Sequence, residues 1–306
     1  MDLRQLRSFV QIVDSASISR AAQRLHVAQP SLSLQVKSLE KELGVKLLSR
    51  HAKGVTPTAQ GRVFIDHARK ILRDVDQISK LLGSTPSNPK GRVAVGIPTS
   101  ACRGLSYRLI EAAKKRHPDI DVYIVEAMTR GLEEWVQSGK LDVALIYNHR
   151  PYDNVAWTEM IVEDLLLITS NSSALPKGGP VRFSDAARLP LTLPGRPNVL
   201  RNVVEDLCAA HRIELTVAID CESLPGIVQL VRHGYFGILP EFAVLDEIAR
   251  GEVVGVPIVD PTPSWRLSVV LSKSTSNSAA SEAVAQIMAE TIRSMVQSGI
   301  WHAMLQ

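Results

Sequence analysis

Residues 17–44 read SISRAAQRLHVAQPSLSLQVKSLEKELG, and this stretch decides the fold of the N-terminal region. Apolar residues recur at helical spacing over 18–25 and predict a short helix. Ser17 stands directly before it and is a suitable N-cap. Residues 26–28 then predict a tight turn into a second helix.

That second helix is predicted over residues 29–43. Pro30 stands in its first turn, where no backbone donor is lost, and Gly44 suits a C-terminal stop. The apolar side chains of its inner face are Leu32, Val36, Leu39 and Leu43. Two helices joined by a tight turn predict a helix-turn-helix.

The flanking sequence completes this domain. Apolar residues at helical spacing predict a further helix over 3–14, and residues 46–57 read as a short hairpin that turns at Gly54. The whole predicts an all-α winged helix-turn-helix domain over residues 1–58. Residues 59–82 then continue as one long helix, and a segment rich in Gly, Ser and Pro over 83–91 predicts a hinge.

The outer face of the helix over 29–43 is free to meet DNA. A helix fits the major groove, where its N-terminal residues lie nearest the base edges. Gln pairs with adenine, Ser bonds bases or phosphates, and Leu contacts a thymine methyl group. Arg and Lys of the hairpin would flank the groove. The candidate DNA-binding residues are Gln29, Pro30, Ser31, Ser33, Leu34, Lys37, Arg50 and Lys53. The alternative is a solvated polar face of an ordinary helical bundle.

The charge distribution agrees with a DNA-binding N-terminal region. Residues 1–92 hold 16 Lys and Arg against 7 Asp and Glu, a net +9, whereas the remaining 19 against 24 give −5. A basic region attached to an acidic one suggests contact with a polyanion, although chance surface asymmetry is the alternative.

The long helix carries an apolar stripe with heptad spacing. Such a one-sided stripe needs a partner, and we expect a dimer interface. The residues of the stripe are Phe64, Ala68, Ile71, Val75, Ile78 and Leu82. The alternative is packing against the helix's own domain.

From residue 92 onward, strand-like and helix-like runs alternate, which predicts an α/β domain with largely parallel sheets over 92–306. Within it, Pro98-Thr99-Ser100 follows a strand and opens a helix, and Thr129 opens the next helix. Free N–H groups and the helix dipole favour anions at such positions. The alternative is that Thr99 and Thr129 only cap their helices.

Residues 1–61 resemble the DNA-binding domain of LysR-type transcriptional regulators. The matching segments are LRSF at 6–9, SISRAA at 17–22, LHVAQPSLS at 25–33, LLSR at 47–50 and TPT at 56–58. GYFGILP at 234–240 resembles a motif of that family's effector domain, and three segments look most similar to its nitrogen assimilation control branch. The sequence departs from the family at Ala28, Leu34 and Leu48. Ala28 leaves the recognition helix without a side-chain cap.

The resemblance implies a two-lobed effector domain like that of periplasmic binding proteins. Lobe I would comprise 92–162 and 268–306, and lobe II 163–267. A small anion would bind between the lobes at Thr99, Ser100 and Thr129, with Arg196 as a cation from the second lobe; the alternative for Arg196 is a surface charge. The resemblance also implies a dimer or tetramer, and RNA polymerase is a further expected partner.

Other classes of protein fit the sequence less well. The histidines show no metal-ligand spacing, there is no G-x-S-x-G, Walker A or G-x-G-x-x-G motif, and we expect neither an enzyme nor a bound cofactor. No apolar run is long enough to span a membrane. A solute-binding protein would need an export signal, which the sequence lacks, so we expect a cytoplasmic protein. An effector-independent regulator stays an open alternative.

Overall fold

The computed structural model describes residues 1–51, 54–81, 88–171, 179–275 and 277–306. The chain divides into an N-terminal unit, Met1–Gly83, and a C-terminal unit, Ser84–Gln306. The division falls inside the segment predicted as a hinge, and each unit has its own hydrophobic core. None of the helices within the described ranges is long and apolar enough to cross a membrane.

The elements of the N-terminal unit follow the predicted order. They are α1 (Leu3–Ser15), α2 (Ile18–Arg24), α3 (Gln29–Leu43), β1 (Leu48–His51), β2 (Gly54–Pro57) and α4 (Ala59–Leu81). The Ser17 side chain accepts a hydrogen bond from the backbone N–H of Arg20 and caps α2 as predicted. At the other end of the motif, Gly44 ends α3 in the left-handed conformation with φ of 70°.

The core of this unit is built on the inner face of α3. Leu32, Val36 and Leu39 are buried with Phe9 and Ile12 of α1. The prediction that Leu43 shares this face is wrong, because the buried cluster ends at Leu39 along α3 and Leu43 is exposed in the last turn.

The C-terminal unit alternates strands and helices. Its strands are β3 (Gly91–Pro98), β4 (Ile120–Ala127), β5 (Val143–Tyr147), β6 (Val155–Ser170), β7 (Val181–Arg182), β8 (Leu191–Leu193), β9 (Val217–Asp220), β10 (Phe236–Pro240), β11 (Val253–Val259), β12 (Ser264–Ser272) and β13 (Met304–Leu305). Its helices are α5 (Thr99–Arg116), α6 (Thr129–Gln137), α7 (Phe183–Ala186), α8 (Val199–His211), α9 (Leu224–Arg232), α10 (Leu245–Ala249) and α11 (Ser278–Gln297). Several of the shortest elements give no signal in the sequence, because segments of two to five residues are too short to show a helical or strand periodicity.

The sheet of this unit is mixed, which corrects the expectation of largely parallel sheets. Its strand order is β4-β3-β5-β12-β6-β10-β8-β9. The strands β3, β4 and β5 pair in parallel, and so do β8, β9 and β10. The two long strands β6 and β12, however, run antiparallel to each other, and each is antiparallel to its other neighbours. An antiparallel pair therefore connects two parallel halves.

The strand β6 belongs to both halves of the sheet. It pairs with β12 up to Asp164, and from Leu165 onward it pairs with β10 and β11. In the sequence, a strand-like apolar run covers only residues 165–169 of this strand, because residues 156–158 are exposed and break the alternation of apolar and polar side chains. The change of partner lies two residues from the predicted lobe boundary at 162/163. The lobe boundaries themselves stay predictions.

One glycine of α5 allows a close approach between helices. A Cβ atom at Gly104 would lie 2.2 Å from the ring of Phe242, which is buried and stacked on Trp301 with ring centroids 3.9 Å apart. At Gly131 in α6, by contrast, a Cβ atom would meet only Trp135 at 4.0 Å. The two positions form a matched pair of helical glycines in one unit.

We expect Gly104→Ala to lower the free energy of unfolding by about 1–3 kcal/mol, because the packed Phe242 ring must shift. Gly131→Ala should leave it unchanged or raise it by up to about 1 kcal/mol, because alanine favours the helix. Urea unfolding of both variants measures the difference. Equal effects would contradict the close packing of α5 on Phe242.

Candidate functional sites

The free face of α3 follows from the burial of the opposite face. With Leu32, Val36 and Leu39 inside, the side chains of Gln29, Pro30, Leu34 and Lys37 are exposed, and Ser31 and Ser33 are half-buried. Leu34 is 66% exposed, so its apolar side chain is accessible on this face. As expected, Ala28 gives α3 no side-chain cap, so the first N–H groups of the helix stay available.

Two of these residues are held by side chains elsewhere in the unit. The Ser19 hydroxyl of α2 donates a hydrogen bond to Oε1 of Gln29, at 3.1 Å. Arg50 of β1 donates to the Ser33 hydroxyl, at 3.4 Å, and is itself exposed. Lys53, the other predicted hairpin residue, lies outside the described residues. Sequence reasoning identified Arg50 but missed Ser19, because a spacing of ten residues between two helices carries no periodic signal.

A buried carboxylate fixes the hairpin to α3. Glu40 accepts hydrogen bonds from the backbone N–H groups of Leu47 and Leu48, at 2.9 and 3.1 Å, and from the Lys46 ammonium group, at 2.8 Å. Burial alone would raise the pKa of Glu40, but these hydrogen bonds outweigh it and lower the pKa. The charged carboxylate therefore fixes the start of β1 in position relative to the exposed face of α3.

The apolar stripe of α4 has two different environments. Phe64 is half-buried with its ring 5.1 Å from that of Phe9, edge to face, and Ala68 is fully buried with Leu6 and Leu72. These first two stripe residues therefore pack within their own unit, as the alternative interpretation held. Further along, Ile71 and Ile78 are 38% and 51% exposed. Val75 is half-buried, and Leu82 lies outside the described residues.

The C-terminal unit holds a cavity of about 450 Å³. The residues Thr99, Ser100 and Thr129 all line it, as the sequence predicted. The other lining residues are Pro98, Met128, Arg130, Tyr147, Pro194, Pro197, Asn198, Val199, Leu200, Glu222, Leu224, Ile227, Leu239, Pro240 and Trp265. They come from both halves of the sheet, so the cavity lies between these halves.

Several helices begin at the cavity wall. Thr99, Thr129, Val199 and Leu224 are the first residues of α5, α6, α8 and α9. The cap positions before the two threonines are Pro98 and Met128, which make no side-chain cap. Thr99 and Thr129 are therefore not N-caps. The positive ends of all these helix dipoles face the cavity region, which favours negative charge there.

Arg196 does not line the cavity, which corrects the expectation that it supplies a cation. Its guanidinium group instead binds Glu205 of α8, with Nε at 3.0 and 2.8 Å from the two carboxylate oxygens. The side chain is largely exposed. The Glu205 carboxylate, nearly two helical turns into α8, draws the guanidinium outward, and Pro197 and Asn198 line the wall instead.

An aromatic pair forms one side of the cavity. The rings of Tyr147 and Trp265 are stacked, with centroids 3.7 Å apart, and the Ser100 hydroxyl donates to the Tyr147 oxygen at 3.0 Å. Behind them, the buried carboxylate of Glu163 accepts the indole N–H of Trp265 at 2.9 Å and that of Trp301 at 2.8 Å. Sequence reasoning did not single out these residues.

Burial raises the pKa of Glu163 from 4.5 to about 7. The two indole N–H groups lower this pKa, but burial is the larger effect. The nearby Glu241 and Asp164 raise the pKa further. The folded protein thus holds this proton more tightly than the unfolded chain does. The stabilisation from Glu163 is complete below about pH 4.5 and is lost as the pH rises through about 7.

We expect the free energy of unfolding of the wild type to fall more steeply between pH 5 and 8 than that of Glu163→Gln, because glutamine does not titrate. A shift of this size corresponds to about 3 kcal/mol. Urea unfolding at several pH values measures both slopes. The control Glu159→Gln, on the same strand, should keep the wild-type slope. Equal slopes for Glu163→Gln and wild type would contradict the raised pKa.

Among the described residues, no group of three or more His, Cys, Asp or Glu side chains is arranged to hold a metal ion. The exposed face of α3 and the cavity of the C-terminal unit instead offer hydrogen-bond donors, apolar surface and positive potential.

Comparison with known proteins shows that both units match models of the same protein family. Residues 3–62 match the family model described as "Bacterial regulatory helix-turn-helix protein, lysR family", and residues 86–293 match "LysR substrate binding domain". The nitrogen assimilation regulatory protein nac of Escherichia coli K12 is 32% identical over 303 residues, which are 97% of each chain. Its namesake from Klebsiella aerogenes is 31% identical over 290 residues, 94% of each chain.

A solved structure shares the fold. Full-length CbnR complexed with its target DNA superposes with a TM-score of 0.73, over 96% of this chain and 99% of that one, at 23% identity. The family inferred from the segments over 1–61 is thus confirmed over nearly the whole chain, as is the resemblance to the nitrogen assimilation branch.

Proposed function

The chain belongs to the LysR family of DNA-binding transcriptional regulators, and we propose that it reads duplex DNA with the free face of α3 and responds to a small organic anion. One observation carries the first part: the exposed side chains of α3 include the types that recognise bases in the major groove, and they stand in a region of net positive charge. CbnR, which shares the fold, is known in complex with its target DNA.

The residues divide by role. Gln29, Ser33 and Leu34 lie on the first turns of α3, which enter a major groove most deeply, and we assign them to base contacts. Lys37 and Arg50 carry positive charge at the edge of this face and are assigned to phosphates. Pro30 and Ser31 complete the first turn beside them.

We expect Gln29→Ala to weaken binding to the preferred duplex by about 1–3 kcal/mol and binding to random duplex far less. Arg50→Ala should weaken both alike, because phosphates carry no sequence information. Fluorescence anisotropy with both duplexes, between about 50 and 200 mM salt, measures these effects.

The salt series serves as the control. Binding by wild type should fall steeply with salt because phosphate contacts release counterions, and Arg50→Ala should reduce that slope. A flat response for wild type would remove phosphate contacts from the proposal, and equal losses on both duplexes would remove Gln29 from base readout.

We further propose that the second half of α4 joins two copies of the chain. Ile71 and Ile78 lie about two turns apart on one side of the helix and are exposed, while Phe64 and Ala68 already pack within the unit. Two copies related by a twofold axis would require a roughly palindromic DNA site. The family also implies that dimers assemble into tetramers, which we retain as part of the proposal.

Replacing Ile71 and Ile78 together by glutamate should reduce the oligomer and weaken binding to a palindromic duplex, because charge cannot be buried in an apolar interface. Light scattering gives the mass. Val63→Glu is the matched control, since Val63 is 63% exposed on the same helix but lies off the stripe. An unchanged mass for the double variant would contradict the interface.

The anion proposal rests on the helix N-termini that meet at the cavity. Each contributes partial positive charge, and α5 and α6 have no side-chain cap on their first N–H groups. The charged side chains at the wall, Arg130 and Glu222, are both exposed and opposite in sign. The helix termini therefore decide which charge is favoured, and the stacked Tyr147 and Trp265 offer a surface for an apolar body. A ligand that binds one arrangement of the sheet halves better than another would shift the regulator.

Thr99→Val removes a hydroxyl donor while keeping the shape of the side chain, so it should abolish ligand binding without changing DNA affinity. Calorimetry with a panel of small aliphatic and aromatic carboxylates, and with inorganic sulfate, provides the measurement. Thr216→Val, an exposed threonine outside the cavity, is the matched control. If wild type binds none of the panel, the effector-independent regulator becomes the favoured interpretation.

The remaining parts of the proposal follow from this role. The chain's known relatives are transcriptional regulators, and we propose that it is not an enzyme. A regulator of this kind acts on chromosomal DNA in the bacterial cytoplasm, where RNA polymerase would be a further partner.

A further inference from the structure

We propose that Ser19 of α2 is a positioning residue for base recognition, because its hydroxyl fixes the side-chain amide of Gln29. The inference rests on the proposed DNA-binding function and extends it to a residue outside the recognition helix. The observation behind it is the 3.1 Å hydrogen bond from the Ser19 hydroxyl to Oε1 of Gln29, which joins two helices across the turn.

The position of Gln29 makes this contact consequential. Gln29 is the first residue of α3 and is exposed, so the packing of the core does not restrain its side chain. A free glutamine samples many rotamers, and ordering it on DNA has an entropic cost. A hydrogen bond that already holds the side chain reduces this cost before DNA arrives.

The structure also shows which way the amide faces. Oε1 points toward Ser19, so the NH₂ group points away from α2. The carbonyl oxygen has a second lone pair. Gln29 can therefore still accept the N6 amino proton of adenine while its NH₂ group donates to N7, as bidentate recognition requires. Without Ser19, the amide turns over freely and presents either end to the base.

The surroundings leave room for this arrangement. Ser19 and Gln29 both line a hollow of about 450 Å³ at the α2–α3 turn, together with Gln23 and His26. Ser19 itself is exposed near the start of α2, whose buried residues are Ile18, Ala21 and Ala22. Replacing its hydroxyl therefore leaves the core of the unit untouched.

The test is in vitro selection of duplexes from a random library by the full-length chain, followed by affinity measurements on the selected duplex. The variants are Ser19→Ala, Ser19→Thr, Gln29→Ala and the double variant Ser19→Ala/Gln29→Ala. Ser38→Ala is the matched control, since Ser38 is an exposed serine of the same motif, nine residues from Gln29 along α3 and thus about 13 Å away. The base position whose preference disappears in Gln29→Ala identifies the contact of Gln29.

We expect Ser19→Ala to relax the preference at that same base position roughly three- to tenfold, the size of one side-chain hydrogen bond. Ser19→Thr keeps the hydroxyl and should keep the preference, and Ser38→Ala should match wild type. In the Gln29→Ala background, Ser19→Ala should have no further effect, because its action passes through Gln29.

Other outcomes overturn the inference in distinguishable ways. A uniform loss of affinity for all duplexes, present also in the Gln29→Ala background, would mean that Ser19 contacts DNA directly. No change in Ser19→Ala would mean that the hydrogen bond does not position Gln29. If wild type enriches no sequence at all, the proposed DNA-reading function fails as well. If wild type enriches a sequence that Gln29→Ala also enriches, only the role of Gln29 and Ser19 fails.

Discussion

Burial of Leu32, Val36 and Leu39 in the core of α1–α3 is the constraint on which the proposed DNA-binding face of the protein depends. An α-helix has 3.6 residues per turn, so fixing one face also fixes the direction of the opposite one. The exposed face that results carries Gln29 and Leu34, and no further interaction is needed to point them outward. Glu40, on the same helix, accepts hydrogen bonds from the backbone N–H groups of Leu47 and Leu48. These bonds fix the position of the hairpin relative to the exposed face of α3.

The C-terminal unit depends on the strand β6 in a comparable way. Because β6 pairs with β12 along one half and with β10 and β11 along the other, each half of the sheet is positioned relative to the other by one continuous backbone. Glu163 lies where the partners change, and its carboxylate holds Trp265 at the cavity wall. The wall of the cavity is thus tied to the junction between the halves.

The helix α4 illustrates how one periodic stripe serves two purposes. Its early residues complete the core of the N-terminal unit through Phe64 and Ala68, and its later residues Ile71 and Ile78 stay exposed. The spacing is the same throughout, although the early residues pack against α1 and the later ones are exposed. A heptad pattern therefore predicts that a helix face is apolar but not which surface covers it.

The sequence by itself determined the helix-turn-helix, the hairpin and the positions of Thr99 and Thr129 at helix starts, because capping residues, glycines and apolar periodicity act over a few residues. The sequence also determined the family resemblance over residues 1–61, since each matching segment is a short continuous run of residues. Only the tertiary structure decided that Arg196 pairs with Glu205, that β6 and β12 make the sheet mixed, and that Ser19 holds Gln29. These features join side chains or strands that are distant in sequence, and local sequence patterns do not predict such contacts.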